Sequence, residues 1–276
     1  MKKYSHIYAL WALVFIIFPL ILIFVYALNG SGGTGLDNFQ FSLGNYRRFF
    51  ESLYISTLWV SLKLAILSTI LCLLIGYPVA YIISKLNERL RSNLILLLVI
   101  PMWMNFLLRT YAWLTLLGNN GLINKALNIL GLPSVNLMYN MNAILLGMVY
   151  NFLPFMVLPI YTVLLKIDKS LIDAAKDLGA NDIKVFLKVI LPLSLPGIYT
   201  GITMVFIPAI STFVISNLLG GNNIYLIGNL IEQQFTFTGD WGFGSAISII
   251  LIVIMIIFLV GSTFGDKEGK ESRGIL

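Results

Sequence analysis

The chain has 276 residues, of which 58% are hydrophobic and only 11% charged, with a mean hydropathy of +0.90. A water-soluble domain carries about 25% charged residues, so this composition cannot cover a solvated surface, and disordered or fibrous chains are excluded with it. A single cysteine, Cys72, excludes an internal disulfide or a cysteine-cluster metal site. An integral membrane protein remains.

Six stretches lack Asp, Glu, Lys and Arg: 4–36, 64–84, 92–108, 126–165, 189–231 and 241–265. A helix rises about 1.5 Å per residue, so crossing about 30 Å of hydrocarbon takes roughly 20 apolar residues. Trimming by hydropathy and turn residues predicts spans at Ile7–Leu28, Ile55–Ser84, Leu94–Leu117, Ala143–Leu165, Leu193–Leu219 and Ser245–Phe264. Open strands would leave backbone groups unpaired in lipid. Runs such as Ile247–Val260 are apolar throughout, where a barrel strand would alternate. The expected fold class is all-α: a polytopic membrane protein with six transmembrane helices, residues 1–276 forming one transmembrane domain.

At the first span, Lys2 and Lys3 precede an apolar run, and Val25 and Ala27 offer a signal-peptide-like cleavage site. A signal peptide's apolar region is usually about 7–15 residues and this run has about twenty, so a retained first helix is expected. Lys and Arg accumulate on the cytoplasmic side. With both termini inside, thirteen of the eighteen basic residues fall on inner segments, and only Arg47, Arg48 and Lys125 fall outside. Lys63 and Arg109 lie within spans. The net charge of +6 thus reflects topology and carries no implication of nucleic-acid binding.

No G-x-x-x-x-G-K-[ST] loop is present, so no nucleotide hydrolysis by a P-loop is expected. His6 is the lone histidine, and no carboxylate lies inside any predicted span. A self-powered carrier usually places ionisable groups or broken helices near the midplane. Active transport would therefore draw its energy from another subunit, and the chain is expected to be non-catalytic, without metal or cofactor.

The longest inner segment, Lys166–Pro192, reads as two short helices around a glycine. Ser170 is the expected N-cap, with Asp173 in the capping-box position. Gly179 is expected to take the left-handed conformation that ends the first helix. Asn181 or Asp182 opens a second helix, Ile183–Ile190, which Pro192 bends towards the next span. Leu171, Ile172, Ala175 and Leu178 form an apolar side. By residue chemistry alone, an ordinary amphipathic connector fits equally well.

The spacing goes further. Asp173-Ala174-Ala175, three residues, Gly179, nine residues, Val189, one residue, Leu191-Pro192 resembles the EAA loop of ABC-importer permeases, with Asp for Glu and Val for Ile. The resemblance implies the type I ABC-importer permease fold with cytoplasmic termini. It also implies that Asp173, Ala174, Ala175, Gly179, Leu191 and Pro192 couple the spans to a separate ATPase. Closure of two ATPase subunits on ATP would draw paired coupling helices together and turn an inward-open path outward.

Ile100-Pro101-Met102-Trp103, Leu108-Arg109-Thr110-Tyr111-Ala112-Trp113, Asn120-Gly121-Leu122-Ile123-Asn124, Ile227-Gly228-Asn229-Leu230-Ile231, Gln234-Phe235, Asp240-Trp241 and Gly244-Ser245-Ala246 resemble the spermidine/putrescine permeases, most closely the PotB or PotH type. That resemblance implies a bacterial inner-membrane subunit carrying polyamines. Its partners would be a second, PotC-like permease, two ATPase subunits and an extracytoplasmic polyamine-binding protein. Candidate path residues are Trp103, Asn105, Arg109, Tyr111, Trp113, Glu232, Asp240 and Trp241.

Electrostatics gives this modest support. The outer segments carry Asp37, Glu51, Glu232 and Asp240 against three basic residues, and Tyr111, Trp113, Tyr139, Tyr225 and Trp241 cluster at outer ends. Carboxylates and aromatic faces suit a polycation, although an aromatic belt lines every membrane interface. Lys63 and Arg109 oppose a cation. Lys63 is placed to snorkel, and Arg109 to pair with Glu232 or Asp240. Permeases for sulfate, molybdate, thiamine or ferric ion share the coupling loop, and a self-sufficient carrier, a channel or a six-span membrane enzyme are readings from other classes.

Overall fold

The computed structural model describes residues 11, 13–30, 39–221 and 223–271, with side chains described through residue 262. The described chain is helical, apart from an isolated antiparallel bridge between Asn29 and Phe41. Its helices are α1 (Phe18–Ala27), α2 (Gly44–Phe49), α3 (Ser52–Lys85), α4 (Glu88–Val99), α5 (Phe106–Leu117), α6 (Leu122–Ile129) and α7 (Met141–Leu164). They continue as α8 (Lys169–Asp177), α9 (Asp182–Val185), α10 (Leu191–Ser211), α11 (Val214–Gly220), α12 (Ile227–Gln233) and α13 (Trp241–Glu271).

Among the described residues, four helical stretches are long and apolar enough to cross a membrane: Ser52–Lys85, Met141–Leu164, Asp182–Ser211 and Trp241–Ser262. They coincide with the second, fourth, fifth and sixth predicted spans. The expected third span is not one straight helix. Glu88–Trp103 and Phe106–Ile129 meet at 95°. Pro101 starts a 3₁₀ turn, Met104 is extended, and the Asn105 side chain accepts from Leu107 N at 2.8 Å to restart the helix. The fifth predicted span is also interrupted. Ser211 donates to the Ile207 carbonyl three residues after Pro208, Thr212 is extended, and helix resumes at Val214. Within the first predicted span the described residues form the shorter apolar helix Leu13–Ala27, and residues 7–10 and 12 of that span lie outside the described residues.

Burial follows the logic of a lipid solvent. Helix α3 buries Ser61, Ala65, Ser68, Thr69, Cys72 and Gly76 and exposes Ile66, Leu67, Ile70, Leu74, Ile75 and Ile82. Small and weakly polar residues predominate on the buried side, together with Leu64, Tyr77 and Ile83, while the exposed side is made of large apolar residues that suit a hydrocarbon solvent. Lys63 is exposed on this helix, as snorkelling requires.

The chain forms two compact units, Met1–Val60 with Leu226–Ile256, and Ser61–Tyr225 with Ile257–Leu276. In the second unit, α7 is the hub. A Cβ on Gly197 would lie 2.9 Å from the Pro159 carbonyl oxygen and 3.0 Å from Ile160 Cα. Gly201, one turn on, approaches Met156 as closely. This G-x-x-x-G face lets the backbones of α10 and α7 touch. In the first unit, Asn45 Nδ2 donates to the Ala27 and Asn29 carbonyls, and Trp241 lies between the Tyr26 and Phe235 rings.

Candidate functional site

The coupling-loop residues form a well-capped pair of short helices, with one difference from expectation. Asp168, rather than Ser170, is the N-cap of α8. Its backbone is extended and its carboxylate accepts from Ser170 N at 3.0 Å. That bond holds the Asp168 pKa below the ordinary aspartate value. Asp173 therefore sits mid-helix instead of closing a capping box.

The C-terminus of α8 is a complete Schellman motif. Gly179 has φ +81°, its N–H donates to the Lys176 carbonyl at 2.8 Å, and Ala180 N–H donates to the Ala175 carbonyl at 3.0 Å. Asn181 then caps α9 by accepting from Lys184 N. Lys176 and Asp182 pair across the turn at 2.9 Å, which raises the lysine pKa and lowers the aspartate pKa.

Pro192 carries the second short helix into the next span without interrupting it. Asp182–Ser211 runs as one helix. A π turn at Phe186–Ile190, closed by Leu191 N donating to the Phe186 carbonyl, absorbs the proline at the start of α10. Asp173, Ala174 and Gly179 are exposed, Ala175, Leu191 and Pro192 are half-buried, and Leu171, Leu178, Ile183 and Leu187 expose apolar side chains.

The two interrupted spans share a cavity of about 520 Å³ within the second unit. Phe106 and Arg109 line it from just after one break, and Ser211, Thr212, Phe213 and Val214 from the other. Asn151, Phe152 and Phe155 of α7 complete much of the wall. Arg109 is 9% exposed and Asn151 1%. Asn151 Nδ2 donates to the Gly147 carbonyl at 2.9 Å, which fixes the amide's orientation. Asn151 Oδ1 and Arg109 Nε are buried without a hydrogen-bond partner among the described residues. A buried polar atom left unpaired costs about 1–3 kcal/mol, so the pair marks a place built for more than packing.

The other candidate path residues divide by environment. Trp103 is 79% exposed and Tyr111 51%, while Trp113 is half-buried and packs edge-on against Tyr150. In the first unit, Glu232 is half-buried and Trp241 joins the aromatic group with Tyr26 and Phe235. Arg109 belongs to the second unit, and the two acids expected as its partners, Glu232 and Asp240, belong to the first. Asp240 Oδ2 binds Arg48 at 2.7 Å, and its Oδ1 accepts from Phe243 N to cap α13. Asn151 and Arg48 escaped the sequence reading. Asn151 is the one amide in an otherwise apolar 24-residue helix, apart from Asn142 in its first turn, and that isolation was the available signal.

Interrupted spans around a largely apolar cavity that carries a buried arginine and a buried asparagine, with a capped helical turn in the connecting loop, fit a membrane-embedded transport subunit. The chain belongs to the family of binding-protein-dependent transport system inner membrane components, whose pattern matches residues 4–264. It is 39% identical over 251 residues to the spermidine/putrescine transport system permease protein PotB of Haemophilus influenzae, covering 90% of this chain and 88% of that one. To the PotB protein of Escherichia coli it is 38% identical over 252 residues, 91% of this chain and 92% of that one. Its fold is similar to a chain in the crystal structure of a bacterial ABC transporter involved in alginate import, with TM-score 0.79 and 15% identity over 97% of this chain and 96% of that one.

Proposed function

We propose that this chain is the permease subunit of an ATP-driven importer and forms half of a polyamine path. The observation that carries the solute class is the identity of 38–39%, sustained over nine-tenths of the chain, to permeases named for spermidine and putrescine. Six spans with both termini cytoplasmic, the first retained as a helix, satisfy the charge distribution. The partners on this reading are a second, PotC-like permease, two ATPase subunits that hydrolyse the ATP, and an extracytoplasmic polyamine-binding protein.

Coupling falls to Asp173, Ala174, Ala175 and Gly179, with Leu191 and Pro192 joining the loop to the fifth span. The support is geometric: a rigidly capped turn carries exposed apolar residues on both sides of Gly179. Burying them in a groove of the ATPase would remove the cost of leaving them in water. Force transmitted there reaches α10 through an unbroken helix.

Trp103, Asn105, Arg109, Tyr111, Trp113, Glu232, Asp240 and Trp241 are the path residues on this reading, and Asn151 joins them. As the surrounding helices part, Asn151 Oδ1 accepts from an ammonium group, and the Phe106, Phe152, Phe155 and Phe213 faces suit the cation and its methylenes. Arg109 supplies the opposing charge that keeps a polycation from lodging. The test is ATP hydrolysis by the complete assembly in the presence of binding protein. Stimulation by spermidine-loaded but not empty binding protein supports the reading. Stimulation by a sulfate- or molybdate-loaded protein instead would reject it.

A further inference from the structure

A second cavity, of about 410 Å³, lies on the opposite flank of the coupling loop's helices from its exposed apolar residues. Its wall includes Lys85, Arg91, Lys169 and Lys176, with Asp173 as the one lining carboxylate. Lys85 Nζ stands 4.1 Å over the Tyr81 ring, and Lys176 is held by Asp182. Lys85, Arg91 and Lys169 form no direct ion pair among the described residues, although Asp182 lies near enough to sense the Lys85 charge. Leu164, Leu165, Ile172 and Ile190 form the apolar remainder of the wall.

We propose that this cavity binds the phosphodiester headgroup of an anionic glycerophospholipid and so links the coupling loop to membrane composition. Three cations outside any direct ion pair converge where the ends of α3, α4 and α7 meet α8, and their excess over the lone lining carboxylate fits a phosphate rather than a cationic solute. The apolar wall adds what a free phosphate does not need: a surface for the glycerol and first acyl carbons. Ile82, Leu90 and Leu97, on the helices that supply Lys85 and Arg91, are large, apolar and exposed, which suits an approach to the cavity from the bilayer. A carboxylate of the ATPase is a different occupant, and the experiment separates it.

The complete transporter is purified with Lys85→Gln/Arg91→Gln and, as a control, Lys184→Gln/Lys188→Gln, which removes equal charge from the same face outside the cavity. Native mass spectrometry after detergent exchange reads retained phosphatidylglycerol against phosphatidylcholine, and co-purified ATPase is measured alongside. The proposal expects selective retention of phosphatidylglycerol by wild type and the control. The cavity variant should bind it about tenfold or more weakly while keeping its ATPase. Lys85→Arg, which preserves the charge, should retain lipid and guards against misfolding. Equal loss in both double variants would reduce the effect to diffuse surface charge and overturn the proposal. Competition by inorganic phosphate at the lipid's own concentration, or loss of ATPase with lipid binding unchanged, overturns it equally. None of these readouts depends on the transported solute.

Discussion

Arg48 Nη1 lies 2.7 Å from Asp240 Oδ2, across 192 residues of sequence, and the same guanidinium stands 4.1 Å above the Phe243 ring. Partial burial works against the arginine's charge, but hydrogen bonds to Tyr54 and Asp240 outweigh it and raise its pKa. Asp240 also caps α13, so its carboxylate is committed on both oxygens. Arg48→Ala should cost about 1–2 kcal/mol of stability, the small size reflecting the 41% exposure of the arginine side chain. Thermal unfolding of the detergent-solubilised protein checks this. Exchanging the residues, Arg48→Asp with Asp240→Arg, should recover part of the loss.

Gly179 separates conformation from contact. An added Cβ meets nothing within 4 Å, yet φ is +81°. A side chain there is strained by about 1–2 kcal/mol, least for Asn, which tolerates the left-handed region. ATP-coupled uptake should fall in the order Gly179, Gly179→Asn, Gly179→Ala, with Gly179→Asp inactive. Membrane insertion, followed by expression and protease protection, should be unchanged throughout. Normal uptake by Gly179→Asp would defeat the coupling role.

The glycines of α10 should differ from each other. A Cβ on Gly197 meets backbone atoms of Pro159 and Ile160, whereas on Gly201 the nearest atom, at 2.7 Å, is the flexible Met156 sulfur. Gly197→Ala is expected to destabilise by about 1–3 kcal/mol and Gly201→Ala by less. Unfolding in detergent measures both.

The coupling loop should be insensitive to pH around neutrality. The Asp182 pKa is lowered from 3.8 and the Lys176 pKa raised from 10.5 by their mutual hydrogen bond. The aspartate's contribution is present above its unfolded value and is lost as pH falls through the folded one. The lysine's is present below its unfolded value and is lost as pH rises through the folded one. Asp168 follows the same sign as Asp182. Hydrogen exchange of amides 168–182, corrected for its intrinsic pH dependence, should show constant protection between about pH 5 and 9. A change near pH 7 would contradict the pairing.

Hydrocarbon excludes charge, so the gaps between charged residues located the long apolar helices with little error. The interruptions were not legible the same way, because Met104–Asn105 and Thr212–Phe213 lie inside charge-free stretches. Their signals were local: Pro101 with Asn105 as a new cap, and Pro208 followed by Ser211. The same blindness hid Asn151, whose isolation in a largely apolar helix gains its meaning where it shares a cavity wall with Arg109. Gly179 was readable because a left-handed residue after a short helix leaves few alternatives, whereas the choice of Asp168 over Ser170 as cap depended on backbone angles two residues apart. Gly197-x-x-x-Gly201 gave no signal in the sequence, because its meaning rests on which helix it meets.

This chain is expected to carry polyamines only as part of an ATP-driven assembly. Uptake of labelled spermidine into proteoliposomes, with and without the second permease, ATPase and binding protein, tests it most directly. ATP-dependent accumulation by the full assembly, with none by this chain alone, is the expected result. Accumulation by this chain alone, or a full assembly that hydrolyses ATP without moving spermidine or putrescine, would contradict it.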